Sequence, residues 1–405
     1  MLESETMTQT ELKNDFSHLP QTMKAVRVHR FGPPEVMALE TVPVPQPGFG
    51  ELLVQVRAAG VNYADVGQRS ASMGGPRPAE ATPPTGMQAG PGGTLSPPGM
   101  PPAGVPAGTP PVGAPQSGPS TSTARVSPPK GQGLHAVELP YTPGFEVVGT
   151  VVALGEGVTG FSIGQRVASV LEEGGYAQYA LASLEKTYPV PDGLSDEAAT
   201  LMLVQGLTAY GILFDAVHIQ PGEWVLVQAA AGGVGNLALQ LAKAAGAKVI
   251  GTAGSEPKLK RIRALGADLA LNYSSPGWEG GVLEATGGSG INVLLESVGG
   301  SAAQAALSVM APFGRVVMFD GASGQMVPPG AMMMGMMMKG LNFTGFNPWQ
   351  RPERAAGNAR AVAEAILGGG VKPQIESFPL EEVVEAHRAL EGRKSQGKIV
   401  LFVTQ

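Results

Sequence analysis

Directly after the apolar run Trp224 to Val227, the chain reads Gln228-Ala229-Ala230-Ala231-Gly232-Gly233-Val234-Gly235. Within it, Ala230, Gly232 and Gly235 form an Ala-x-Gly-x-x-Gly spacing, with Gly233 and Val234 between the glycines. Positions without side chains let backbone N–H groups approach an anion, and a helix starting at the same place adds the positive end of its dipole. The chemistry this suits is pyrophosphate binding, and a dinucleotide is the first ligand it suggests. Thr252, Ser255 and Lys258 follow at the end of the next apolar run. An acidic residue there would accept hydrogen bonds from ribose hydroxyls. This chain offers hydroxyls and an ammonium, which complement a 2′-phosphate. NADPH rather than NADH is therefore expected, with Glu256 as an opposing charge nearby and helix capping by Ser255 as the simpler role for that residue.

The elements that must position these groups alternate between strand and helix. A helix from the glycine turn stops at Gly246, a strand covers Lys248 to Thr252, and a helix runs from about Ser255 to Gly266. Apolar runs at Asp268 to Asn272, Asn292 to Leu295 and Arg315 to Phe319 continue the pattern of a doubly wound parallel sheet, an α/β Rossmann arrangement. The uncharged stretch Trp224 to Ala242 contains three glycines and polar Gln228, Asn236 and Gln240, which argues against a membrane span. Nearer the start, Lys24 to Val28, Glu51 to Val56, Val147 to Leu154, Arg166 to Val170 and Tyr176 to Ala180 read as short strands of a mainly β domain.

The 405 residues suffice for two domains. A net charge of -6 with 15% charged residues leaves no basic surface for nucleic acid. Cysteine is absent, which removes disulfides, thiolate catalysis and Cys-ligated zinc, and the five histidines show no ligand spacing, so a mechanism without metal is expected. No signal peptide is legible, making a cytoplasmic location the expectation. Residues 1–22 read as a disordered tail. Residues 71–134, rich in Pro, Gly, Ser and Thr and without an aromatic residue, read as a disordered insertion, either a tolerated surface loop or a docking segment. The expected domains are 23–190, 191–345 for cofactor binding, and 346–405 returning to the first, with helices at Arg354 to Leu367 and Leu380 to Glu391 and a strand at Ile399 to Val403. The run Met332 to Met338 suits core or dimer packing, or contact with an apolar substrate.

Several segments together resemble the zinc-independent quinone oxidoreductase (zeta-crystallin-like) family of the medium-chain dehydrogenase/reductase superfamily. They are Met23-Lys24-Ala25-Val26, Ala59-Gly60-Val61-Asn62-Tyr63-Ala64-Asp65, Thr142-Pro143-Gly144-Phe145-Glu146, Gln205-Gly206-Leu207-Thr208-Ala209-Tyr210, Ala229 to Gly235, Gly251-Thr252-Ala253 and Gly397-Lys398. The resemblance implies a mainly β GroES-like catalytic domain beside the Rossmann domain, a homodimer, and a site in the cleft between the two domains. Zinc-dependent relatives carry a cysteine near Asn62 and a histidine near Phe145; this chain carries neither. The resemblance also places Tyr273 at the adenosine phosphate end, Phe319, Gly321, Phe346 and Asn347 near the nicotinamide, and Lys398 close to the cofactor. It implies hydride transfer to a small-molecule quinone or α,β-unsaturated carbonyl, and the oxyanion that develops could be met by the Asn62 amide or the Tyr63 or Thr208 hydroxyl, with Tyr63 the first choice and packing against the cofactor ring its simpler role. A cofactor-binding protein with a structural or regulatory role is the alternative. Gly67 and Met73 stand where the family often has tyrosines at the substrate pocket, so the acceptor is the least transferable property.

Overall fold

The computed structural model describes residues 19–71, 137–320, 325–393, 395 and 397–404. The expected tail and insertion fall almost wholly outside the described residues, as does Gly321.

The β-rich part begins with the hairpin pair β1 (Thr22–Val28) and β2 (Met37–Pro43), followed by β3 (Glu51–Val61) and helix α1 (Tyr63–Arg69). Next come β4 (Glu146–Leu154), β5 (Arg166–Val170), β6 (Tyr179–Ser183) and β7 (Thr187–Pro189). The strand expected at Tyr176 to Ala180 forms three residues later. Tyr176 instead turns wholly inward, and Ala177 makes only an isolated bridge to Ala25. Short helix α2 (Asp196–Ala199) leads to α3 (Val204–Tyr210), which continues as a π-helical turn to Ala216.

The parallel part follows as β8 (Trp224–Val227), α4 (Gly233–Ala244), β9 (Lys248–Ala253), α5 (Glu256–Ala264), β10 (Leu269–Asn272), α6 (Trp278–Ala285), β11 (Ile291–Glu296), α7 (Gly300–Ser308), β12 (Met310–Met318), α8 (Pro329–Lys339) and β13 (Asn342–Gly345). Its strand order is β10-β9-β8-β11-β12-β13, every pairing parallel, so the winding reverses between β8 and β11. Both faces are covered, as a parallel sheet requires. Val225 and Val227 face α4 and α5, while Leu226 between them joins Leu294, Val316 and residues of α6 and α7.

The chain then returns through α9 (Pro352–Leu367), β14 (Ile375–Pro379), α10 (Val383–Glu391) and β15 (Lys398–Phe402). Strand β15 lies between β14 and β3 in a seven-stranded sheet. The methionine run forms most of α8, and none of that helix's residues is buried, so it is not a core element. No single helix among the described residues is long and apolar enough to cross a membrane.

Beneath α1 the β-rich core contains polar groups. Arg69 is fully buried and pairs with Glu391 of α10. The Tyr176 hydroxyl lies 3.2 Å from His387 Nε2, the two rings meeting edge to face. Burial, reinforced by the Arg69 charge, lowers the His387 pKa from 6.5 to about 3. Between those values the unfolded chain binds a proton that the folded protein does not, so acid costs stability. Asp65 acts in the opposite sense. Burial raises its carboxyl from 3.8 to about 7, and stability from that group falls as pH rises through this window.

We expect His387→Gln to be less stable than wild type near neutrality and the gap to close as pH falls from 6.5 toward about 3, by up to ~1.4 kcal/mol per pH unit. Urea midpoints at stepped pH measure it. A gap independent of pH would show that the imidazole is not held neutral.

Candidate active site

Where the winding of a doubly wound sheet reverses, the helices diverge and leave a crevice at the carboxyl ends of the strands. Here that point lies beyond β8 and β11, and the glycine turn follows β8. Ala229 adopts φ +47, and Gly232 precedes the first turn of α4. The first i→i−4 bond of the helix runs from Asn236 N–H to Gly232 C=O, so the amides of Gly233, Val234 and Gly235 head the helix. At two of these positions a side chain would force a neighbour to shift. A Cβ on Gly233 would overlap the Gln205 amide, and one on Gly235 would sit 2.9 Å from Ala230 Cα.

Around this crevice several buried oxygens lack a partner. They are Gln205 Oε1, Gln228 Oε1, Asn236 Oδ1, Thr252 Oγ1 and Glu296 Oε2. Gln228, Thr252 and Glu296 mark the carboxyl ends of β8, β9 and β11. The other oxygen of Glu296 accepts from Val298 N–H and Gly299 N–H at 2.8 and 2.6 Å, yet burial still pushes its carboxyl pKa up. Unpaired buried acceptors are costly, and ribose hydroxyls and a carboxamide would satisfy them as donors. The cradle therefore fits a dinucleotide.

Farther along the same rim, Ser255 precedes α5 without using its side chain as a cap, so its hydroxyl is not committed to the helix. A Cβ on Gly254 would lie 3.1 Å from the Tyr273 hydroxyl, which places Tyr273 beside this turn. Lys258 Nζ donates to the Arg393 C=O at 2.8 Å. Partial burial, and then the Arg393 charge, lower the Lys258 pKa. Two cations from different parts of the chain, Lys258 and Arg393, thus lie within electrostatic reach of each other. Glu256, the opposing charge, is held by Arg263 at 2.6 Å.

At the other end stands a buried polar cluster. Asn62, Glu146 and Lys398 meet there, the last two with fully buried side chains. Glu146 Oε1 accepts from Lys398 Nζ and from Asn62 Nδ2, the latter at 2.9 Å, and Lys398 Nζ also donates to Asn62 Oδ1 at 3.0 Å. The remaining Glu146 oxygen accepts from Val204 N–H, at the start of α3, at 3.1 Å. Next to Lys398, the Gly397 N–H donates to Ala231 C=O of the glycine turn at 3.2 Å. Asn62 itself is fixed by a capping box with Asp65, whose carboxylate accepts from the Asn62 N–H at 2.8 Å.

The cluster gathers Asn62 and Lys398, with Tyr63 adjacent and Thr208 one turn along α3. The Lys398 ammonium is directed into the cluster. The Tyr63 hydroxyl donates to Leu390 C=O at 3.1 Å, and Thr208 Oγ donates to Val204 C=O at 2.6 Å, so both hydroxyl protons are engaged by backbone. The Phe346 ring packs against Gly211 closely enough to exclude a methyl there, Asn347 Oδ1 accepts from Trp349 N–H, and Phe319 N–H donates to Glu296 C=O. Sequence reading did not single out Glu146, Gln205, Glu296 or Arg393. For Glu146 the available signal was a carboxylate heading the apolar run Val147 to Leu154.

The chain is similar to known proteins along nearly all its length. The profile of an alcohol dehydrogenase GroES-like domain matches residues 123–192, and that of a zinc-binding dehydrogenase matches residues 233–362. A quinone oxidoreductase of Pongo abelii is 30% identical over 94% of this chain and 98% of its own length. A 2-haloacrylate reductase of a Burkholderia species is 34% identical over 65% of this chain and 82% of its own. Among solved structures, the Escherichia coli quinone oxidoreductase complexed with NADPH superposes with a TM-score of 0.73 at 25% identity, covering 94% of this chain and 99% of that one.

Lys398→Met would strand a fully buried carboxylate. We expect a loss of ~3–5 kcal/mol in urea unfolding; a loss under ~1 kcal/mol would place the pair among weak, solvated contacts.

Proposed function

Because the chain belongs to the zinc-independent quinone oxidoreductase family of the medium-chain dehydrogenase/reductase superfamily, we propose that it is an NADPH-dependent reductase of quinones or α,β-unsaturated carbonyls. The observation that carries the reading is the crevice beyond β8 and β11, where helix-heading amides and unpaired buried oxygens line one cleft. The amides of Gly233, Val234 and Gly235 would face the pyrophosphate. Ser255, Lys258, Tyr273 and Arg393 would surround the 2′-phosphate, with the two cations giving the preference over NADH.

NADPH, when bound, supplies a hydride from the nicotinamide. The protein's part is to hold the acceptor in line and stabilise charge arriving on its oxygen. In this reading protein donors stabilise that charge. Asn62 retains one amide N–H beyond its bond to Glu146. It is the donor to the acceptor's oxygen in this reading. Tyr63 and Thr208 are secondary, since each would first have to release a backbone carbonyl. The single proton that completes the reduction comes from water.

This reading also takes the protein as a homodimer joined through β13 and α8. Strand β13 is an edge strand of the parallel sheet, and Met333, Met334, Met336, Met337 and Met338 are each 54–74% exposed. Phe313, 78% exposed, adjoins Gly340 at the end of α8. An uncovered apolar face beside an open strand edge suits a second copy of the same surface.

Purified protein should oxidise NADPH with a small quinone or an alkenal, at a rate unchanged by chelator. Tight NADPH binding without turnover over a broad acceptor panel would reject the reductase reading and favour a structural role. Lys258→Ala should raise the KM for NADPH by ~10-fold or more and leave that for NADH nearly unchanged. In sedimentation, Met334→Glu/Met337→Glu should shift the protein to monomer; an unaltered profile would remove α8 from the interface.

A further inference from the structure

The geometry points to Glu146 as a positioning residue that orients the Asn62 amide and the first turn of α3 through one carboxylate. Its two oxygens serve different parts of the molecule. Oε1 holds Asn62 and Lys398, and Oε2 holds the Val204 N–H. Asn62 is bound at both ends of its amide, because Lys398 donates to Oδ1 while Glu146 accepts from Nδ2. A flipped amide would turn N–H groups toward the ammonium and its oxygen toward the carboxylate. One orientation survives, and it fixes the direction of the remaining N–H.

The other oxygen acts on the cofactor cradle. Val204 opens α3, and its neighbour Gln205 lies against Gly233, where no Cβ fits. One turn on, Thr208 bonds back to the Val204 C=O. Displacing Val204 therefore moves both the group covering the glycine turn and the hydroxyl nearest it on α3. Glu146 is fully buried and has no surface through which to touch a substrate. Its influence passes through Asn62 and α3. Gly60 of β3 leaves the space that this requires, since a Cβ there would lie 2.6 Å from Lys398 Nζ and overlap Glu146.

The inference rests on the reductase reading, and its test separates the two. Glu146→Asp keeps the negative charge beside Lys398 but withdraws the carboxylate by ~1.5 Å, too far to hold Val204 and Asn62 together. We expect a folded variant with a lowered urea midpoint, a kcat for quinone reduction lower by ~10- to 100-fold with a smaller change in the quinone KM, and an NADPH Kd raised ~10-fold by nicotinamide fluorescence. The double variant Glu146→Gln/Lys398→Met removes both charges. It should recover most of the urea stability lost in Lys398→Met without recovering kcat. A wild-type kcat in folded Glu146→Asp, or recovery of kcat in step with stability in the double variant, overturns the inference. Wild-type turnover tests the reductase reading separately. Should turnover be absent, an unchanged NADPH Kd in folded Glu146→Asp overturns the positioning role by itself.

Discussion

Two opposite charges sealed from water, Lys398 of β15 and Glu146 of β4, are the constraint on which the rest of the site depends. Removing either ion from solvent costs several kcal/mol, and the pair is tolerated only when geometry and further hydrogen bonds offset that penalty. Asn62 and the Val204 amide provide those bonds. The strand between the charged residues, β3, must therefore carry a glycine at position 60, and the residue after β3 must be a side chain that both donates and accepts. Asn62 meets that demand. A residue of a single polarity would leave one ion short of a partner.

The same economy of polar groups runs through the connections between the two sheets. Gln240 takes the Lys372 N–H at 2.7 Å, Arg261 reaches Gln374 Oε1 from α5, and Gly397 bonds to the glycine turn. These contacts fix segments flanking β14 and β15 to helices of the parallel sheet. In contrast, the oxygens inside the crevice stay unpaired. Polar capacity is spent on the walls and withheld where a ligand would enter, the usual trade of stability against function at a binding site.

Five of the six strands of the parallel sheet were legible as short apolar runs, each overlapping an observed strand, while the short edge strand β13 was not read. Local periodicity also read the helix at Leu380 to Glu391, whose buried Val383, Ala386, His387 and Leu390 lie on one face. It misplaced the strand at Tyr176 because an inward aromatic looks the same in a strand or in the turn before one. Asn62 and Lys398 were named one by one from the family resemblance, but their meeting around Glu146 was not legible. Its members are scattered along the chain, and nothing local to any of them records the others. Arg393 beside Lys258 escaped for the same reason. The methionine run of α8 was legible as an apolar segment, but its composition could not say whether it meets a core, a second chain or a substrate, nor that it forms an exposed helix.

The position of β15 has a consequence for biosynthesis. Lys398 lies 252 residues after the carboxylate it neutralises and follows every other described element. While the chain is still being made, Glu146, Asn62 and Gly60 can be assembled only around a missing cation. The emerging β-rich part must therefore keep that carboxylate in contact with water until the final strand slides in between β14 and β3. A protein stalled or clipped before this strand would be unfinished at its most polar point.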